Sequence, residues 1–318
     1  MSWLRWGRHM ASARERAAMR RAIVLSAFGL GTTSPNPPVG CVILDVNGQI
    51  VGEGYHEHKG EPHAETQALA AAGGRARDGS AVVTLEPCNH DGRTPPCRQA
   101  LIDAGIARVV ISVIDPTSRG EGGAAALRGA GVDVEVCVLD DEARLVLGPW
   151  LTALEHKRLF VTLGYTVDGE GSLGGLPTAG RSSAPEAVMD ALDLRFNHDA
   201  VLLASGRIEE GVLSGHGRDV FKIVSESPEE SSELLALLAN GGVRSLLVDG
   251  ASPLADSLLE AGWVDQAVAY IESNGPTSIG QASADARHFA GLVTGLALQD
   301  VTRVGQSVRV SSIRRTHA

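Results

Sequence analysis

The chain has 318 residues, 43% hydrophobic and 21% charged, which is the balance of a globular protein and excludes wholesale disorder. Lys and Arg number 28 against 38 Asp and Glu, so the net charge is -10 and the basic footprint of a duplex-binding protein is missing. The length predicts two domains, and no run approaches the ~18 consecutive apolar residues of a membrane helix.

Residues 1–13 read as an N-terminal extension. Basic residues up to Arg21 precede AIVLSAFGLG and imitate a signal peptide. However, Ala18, Ile23, Val24, Ala27 and Phe28 fit the apolar stripe of an amphipathic helix over 12–31, and the expected location is cytoplasmic. A Pro-rich loop, TTSPNPPVG, follows. CVILDVNGQIVGEGYH predicts a hairpin with an Asn-Gly turn, and HAETQALAAAG a helix closed by glycine. Next come a strand (SAVVTLEPC), a helix opened by proline (PPCRQALIDAG), a strand (ARVVISVID), a helix (GGAAALRGAG), a strand (VDVEVCVL) and a helix (DDEARLVLGPWLTALE). Strands alternating with helices predict a layered α/β sheet. A second series starts after residue 157. Its strands are LFVTLGYTVDG, DAVLLAS, RDVFKIVSE, VRSLLVDG, DQAVAYIES and SVRVSSI, and its helices are APEAVMDALDLRF, SPEESSELLALLANGG and SPLADSLLEAG. Ser227 to Glu230 form a capping-box pattern. The expected domains are therefore 14–157 and 158–318.

Four cysteines in a chain of this length make no disulfide framework. Cys41 and Cys137 sit in apolar runs and read as small core residues. Cys88 and Cys97 sit among prolines and glycine, where packing explains them poorly. With His63 they offer one imidazole and two thiolates, a three-ligand set for zinc that leaves a fourth position for water. Glu65, two residues after His63 in the first turn of a helix, stands beside such a metal without ligating it and suits a general acid/base. The pattern matches the zinc-deaminase signature H-x-E with P-C-x-x-C, except that eight residues, NHDGRTPP, separate the cysteines. In that insertion His90 and Arg93 read as substrate contacts, Arg93 for a phosphate.

Taken together, HAE and TLEPCNHDGRTPPC, with SPNPPVGCVI and GYHEHKGEPHAE, resemble the bifunctional riboflavin-biosynthesis deaminase/reductases. The resemblance is continuous from about residue 14 to 160. It implies a three-layer cytidine-deaminase-like domain followed by a dihydrofolate-reductase-like α/β domain. It further implies zinc ligands His63, Cys88 and Cys97 and a proton shuttle at Glu65. Asn36 and His56 would hold the pyrimidine of diaminohydroxyphosphoribosylaminopyrimidine phosphate, with His90, Arg93 and Asp115 towards the ribose phosphate. The family's Asp-Pro-Asn-Pro segment reads Asp115-Pro116-Thr117-Ser118 here, so the aspartate carries over and the asparagine does not.

The second half keeps the reductase pattern only in outline. Asp168, Arg195, Gly206 and Gly250 fall at cofactor-associated positions. The family's lysine upstream of Asp168-Gly169 is absent, with Thr162 and Gly164 as the candidates for its place. Its Gly-Thr-Gly-Thr loop reads Ala204-Ser205-Gly206-Arg207, and its Glu-Gly-Gly turn reads Asp249-Gly250-Ala251. Fewer glycines, with Asp249, Glu209 and Glu210 nearby, predict poor binding of a polyanion such as NADPH. The expected protein is a zinc-dependent deaminase whose reductase activity is lost and whose second domain supports homo-oligomerisation. A fully bifunctional enzyme, a deaminase of specialised metabolism acting on another amino-pyrimidine or purine, and a non-catalytic zinc scaffold are the other readings. Glu65 speaks against the last, because a structural site has no use for it.

Overall fold

The computed structural model describes residues 10–90, 95–117, 122–179, 184–203, 228–272 and 295–314. The chain divides into two compact units, Met1–Gly148 and Pro149–Ala318. The sequence places the boundary at 157, after helix α5 (Asp140–His156); the units part inside that helix, at Pro149. Proline has no N–H to donate, so the helical ladder lacks a bond near this point.

In the first unit, α1 (Ala13–Ala27) opens on a capping box that the sequence reading did not single out. The Ser12 hydroxyl accepts the Glu15 N–H at 3.2 Å, and the Glu15 carboxylate accepts the Ser12 N–H at 2.7 Å. The strands are β1 (Gly40–Leu44), β2 (Ile50–Tyr55), β3 (Ser80–Leu85), β4 (Arg108–Val113) and β5 (Asp133–Glu135), in the order β2-β1-β3-β4-β5. β1 runs antiparallel to both neighbours, while β3, β4 and β5 are parallel. Gly48 takes a φ of 75° in the expected Asn-Gly turn.

Alternation along the strands sorts the core into two faces. Val42, Leu44, Val82 and Val110 meet Ala18, Met19, Ala22 and Leu25 of α1. Cys41, Ile43, Val83 and Ile111 meet α2 (Ala64–Ala72), α3 (Cys97–Asp103) and α4 (Gly123–Gly129). The result is helices, sheet, helices, the three-layer arrangement expected. Each fully buried Val, Leu or Ile contributes about 1.5–3 kcal/mol, and the inner strands are buried on both sides.

The helices approach this sheet closely at glycines. A Cβ on Gly40 would lie 2.0 Å from the Ala22 carbonyl oxygen of α1; one on Gly52 would lie 2.1 Å from that of Ala68, and one on Gly54 2.6 Å from that of Ala64. On the α2 side the inward residues are themselves small, Ala64, Ala68 and Ala72.

Two expectations fail near the end of this unit. VDVEVCVL forms a strand only over Asp133–Glu135, and Cys137 is exposed rather than core. Past Glu135 the chain turns through left-handed backbone at Cys137 (φ 62°) and Leu139 (φ 56°), which sends Val138 into the core and Cys137 outward. An apolar run with no clear period hides such a turn.

The second unit holds, among the described residues, β6 (Phe160–Val167), β7 (Leu173–Gly174), β8 (Ala200–Leu203), β9 (Ser245–Asp249), β10 (Gln266–Ile271), β11 (Ala297–Val304) and β12 (Ser307–Ile313). Their order is β11-β12-β10-β6-β9-β8, with β7 paired to β6. β10, β6, β9 and β8 are parallel, whereas β11 and β12 form an antiparallel hairpin. α6 (Pro185–Phe196) covers one face through Ala187 and Ala191. α7 (Pro228–Asn240) and α8 (Pro253–Glu260) cover the other through Leu234, Leu238, Leu254 and Leu258. β11 was not expected, and most of its residues are exposed. The strand expected at 218–226 and Ser227 of the expected cap lie outside the described residues. Among the described residues no helix is long and apolar enough to cross a membrane.

Candidate metal centre and the second-unit site

His63 is the N-cap of α2, in extended backbone with ψ 161°, so its ring stands at the mouth of the helix. Glu65 lies in the first turn and is only 3% exposed. Cys88 follows the end of β3, and Cys97 is the first residue of α3. The β2–α2 and β3–α3 connections thus deliver His63, Cys88 and Cys97 with their ligating atoms within 4.8 Å of one another. His63 Nδ1 lies 3.2 Å from Cys97 Sγ and 3.8 Å from Cys88 Sγ. A tetrahedron with zinc–nitrogen and zinc–sulfur bonds of ordinary length separates its corners by roughly 3.6–3.8 Å. The donor set and its spacing therefore fit zinc, with one corner left over.

The electrostatics agree with a cation site. The Cys97 thiol, the His63 ring and the Cys97 N–H, 3.2 Å away at the start of α3, hold the Cys88 thiol down to about 4. The hydrogen bond with Cys88 and burial push the Cys97 thiol up. Metal binding to such thiols releases protons. Burial pushes the Glu65 carboxyl up, and the facing His63 only partly offsets it. Cys41, buried nearby, has its thiol raised by burial and by the Glu65 charge, which leaves it an inert core group as the sequence indicated.

His56 is buried, and its ring meets that of His63 edge-on at 5.3 Å. Burial lowers its pKa, which favours the neutral ring. Its Nδ1 lies 3.3 Å from the Pro62 carbonyl oxygen and its Nε2 3.4 Å from Asn36 Nδ2. That geometry assigns the proton to Nδ1, leaving Nε2 to accept from the Asn36 amide. His90 is exposed, two residues beyond Cys88, and Arg93 lies outside the described residues. Asp115 spends one carboxylate oxygen on its own turn, accepting the Thr117 N–H at 2.8 Å. The structure brings together His63, Cys88, Cys97, Glu65, His56 and Asn36.

Glu86 was overlooked in the sequence. It is 5% exposed and accepts the Ala124 N–H at 2.7 Å and the Asp115 N–H at 3.3 Å. Its signal was a carboxylate set directly before Pro87-Cys88 at the end of an apolar strand.

In the second unit the positions matched to the reductase pattern have local duties. Asp168 shapes the β6–β7 turn by accepting the Glu170 and Ser172 N–H groups at 2.9 and 2.8 Å. Thr162, one candidate for the missing lysine's place, is buried and hydrogen-bonded to His198 Nε2 at 2.8 Å. Arg195 is buried; its Nη2 and Nε face Asp249 at 2.7 and 2.9 Å, while Nη1 and Nη2 reach the Pro177 and Leu176 carbonyls. Asp249 also accepts the Leu176 N–H at 2.7 Å. The expectation that Asp249 repels a polyanion needs correction, because Arg195 neutralises it. The aspartate engages both Nε and Nη2 of the arginine, so its side-on fork is taken up within the unit. Gly250 keeps a left-handed φ of 107° and donates to the Gly164 carbonyl at 2.7 Å. Gly206, Glu209 and Glu210 lie outside the described residues.

The cytidine and deoxycytidylate deaminase zinc-binding region matches residues 12–113, which contain the whole cluster. The riboflavin biosynthesis protein RibD of Corynebacterium ammoniagenes is 34% identical over 78% of this chain and 82% of its own length. The chain belongs to the RibD family. RibD of Escherichia coli (strain K12) is 43% identical over 60% of this chain, but the match spans 52% of its length. The chain accordingly spans about half the length of several of the curated RibD proteins it matches. Among solved structures, the diaminohydroxyphosphoribosylaminopyrimidine deaminase/5-amino-6-(5-phosphoribosylamino)uracil reductase of Thermotoga maritima superposes with a TM-score of 0.77 at 27% identity, covering 95% of this chain and 99% of that one. The first unit is thus a cytidine-deaminase-like domain, and the second follows the α/β architecture of RibD structures.

Proposed function

We propose that this RibD-family protein hydrolytically deaminates diaminohydroxyphosphoribosylaminopyrimidine phosphate in riboflavin biosynthesis, and that it has lost the reductase step. The observation carrying the first part is the convergence of His63, Cys88 and Cys97 beside the buried Glu65. Zinc, when held by those three side chains, supplies the Lewis acidity that makes a water nucleophilic near neutral pH. Glu65 takes a proton from the attacking water and delivers it to the leaving amino group. The water oxygen bonds to the amino-bearing ring carbon, the exocyclic C–N bond breaks and ammonia leaves. Burial suits Glu65 to this task, since it raises the carboxyl towards the pH at which it must both take and give a proton. Asn36 and the neutral His56 bind the pyrimidine edge. His90 and Arg93 bind the ribose phosphate, and Asp115 supports that end of the substrate.

The loss of NADPH binding rests on Arg195, which is engaged by Asp249, Leu176 and Pro177, and on Thr162 in place of a lysine. Both observations support a second unit that no longer takes a pyrophosphate-bearing cofactor. The bifunctional reading is favoured by one observation, the likeness to a deaminase/reductase structure over 95% of this chain. Self-association through the second unit belongs to the proposal. Its support is the sheet edge at β11, where Leu298 and Val301 are 65% and 56% exposed. A cytoplasmic location belongs to it as well, since thiolate ligands require reduced cysteines.

The test follows ammonia release and NADPH oxidation together on zinc-loaded protein supplied with the phosphorylated pyrimidine. Ammonia without NADPH oxidation is expected. Ammonia followed by NADPH oxidation overturns the loss of the reductase, and no ammonia overturns the deaminase.

A further inference from the structure

We propose that Glu86 is a positioning residue that sets the Cys88 ligand and fastens both ends of the segment linking β4 to α4. The proposal rests on the deaminase reading for its consequence in catalysis, though not for its consequence in metal binding.

The argument begins with what the carboxylate touches. Glu86 stands at the end of β3, two residues before Cys88, and its own N–H is fixed to the Val113 carbonyl of β4 at 2.9 Å. Its Oε1 accepts the Ala124 N–H in the first turn of α4 at 2.7 Å, and its Oε2 the Asp115 N–H just past β4 at 3.3 Å. One buried side chain thus holds the segment where it leaves the sheet and where it re-enters a helix. A buried carboxylate is costly unless its oxygens are satisfied, and here two backbone N–H groups, one on each oxygen, satisfy it.

The backbone carrying Cys88 is pressed against the same place. A Cβ on Gly123 would lie 2.0 Å from the Pro87 carbonyl oxygen, so α4 meets the Cys88 loop with no side chain between. Gly122 has φ 92°, and a Cβ there would come within 3.3 Å of Asn89 Nδ2. On the other side of the loop, Asn89 is hydrogen-bonded by Arg98 of α3, and the Cys88 carbonyl accepts the Arg98 N–H at 3.4 Å. Residues 87–89 are therefore held between α3 and the start of α4, and Glu86 ties the α4 side down. If Glu86 lets go, the Pro87–Asn89 backbone loses that seat and Cys88 Sγ drifts from its corner of the tetrahedron.

Glu86→Gln is the sharp variant. It preserves size, but only one of its two terminal atoms can accept, so an amide N–H group must face either Ala124 N–H or Asp115 N–H. Gly123→Ala presses on the same contact from the α4 side. Metal affinity is measured by competition between each folded protein and a zinc chelator well below its melting temperature. Geometry is read from the thiolate-to-cobalt absorption of the cobalt-substituted protein. Both variants are expected to bind zinc about 10–100-fold more weakly, the usual effect of losing a group that orients a ligand. The cobalt band should shift in both, and KM for the phosphorylated pyrimidine should rise with the freeing of Asp115. Glu15→Gln, at the far end of the same unit, controls for lost stability alone and should leave metal affinity and spectrum unchanged. Wild-type affinity and spectrum in Glu86→Gln would overturn the proposal. A wild-type protein that binds zinc but deaminates nothing would sink the deaminase reading while the metal measurements still judged Glu86.

Discussion

Around Cys88, an imidazole and two sulfurs gather within 4.8 Å of one another; around Asp249, each charged group is answered by a partner within its own unit. The first arrangement offers a cation three ligand atoms, and the second is complete as it stands. Groups that serve folding alone satisfy each other. Groups placed for chemistry are often held away from their ordinary ionisation, and here burial raises the Glu65 carboxyl while the Cys97 thiol, the His63 ring and the Cys97 N–H lower the Cys88 thiol. The RibD frame is present in both units, and among the described residues the cluster of His63, Cys88 and Cys97 lies in the first.

The most forceful way to break this contrast is Glu65→Gln. It should keep zinc and lose about 10²–10⁴-fold in ammonia release, the range for removing a general acid/base. Substantial retained turnover would mean that the buried carboxyl is structural and the two units are alike. Next in size is Asp249→Ala, which leaves Arg195 buried without its counter-charge. Denaturant unfolding followed in the second unit should show a loss of about 3–5 kcal/mol, with ammonia release by the folded protein unchanged. NADPH that raised the melting temperature of the wild-type protein would instead show a binding site in the second unit.

The smallest effect sharpens the comparison inside the first unit, which also contains a satisfied charge. Glu15 lies 2.6 Å from Arg108. Burial raises its carboxyl, but the Ser12 and Arg108 hydrogen bonds outweigh it and hold the pKa below 4.5. A depressed carboxyl adds stability above its unfolded value and loses it as pH falls through the folded one. Glu15→Gln keeps an acceptor for the capping box and loses the ion pair. Wild type should therefore exceed it by about 1–2 kcal/mol at neutral pH, the gap closing below pH 4.5. Thermal melts across that range check it, and a constant gap would rule out the ion pair as its origin.

Much of this could be read from the chain alone, where periodicity and turn chemistry coincide. Asn47-Gly48 declared the hairpin, and the spacing of His63, Glu65, Cys88 and Cys97 declared a metal-site chemistry before any geometry. β11 escaped because most of its residues face solvent, which leaves no alternation to read. Cys137 was misplaced because an apolar run does not announce a left-handed turn. Glu86 stayed hidden for a different reason. Its partners are backbone N–H groups of residues 29 and 38 positions away, and a sequence displays side chains, not which main-chain donors will fall beside them.

The glycine seam under α2 has a consequence for how the protein tolerates change. Gly52 and Gly54 face Ala68 and Ala64 with no room for a methyl group, and α2 carries His63 and Glu65 at its head. Any larger residue on either side lifts the helix and takes His63 and Glu65 with it. In a saturation scan selecting for growth on the protein's activity, Gly52 and Gly54 would score with His63, Cys88 and Cys97, although neither belongs to that cluster. Exposed positions such as Val46 would accept almost anything.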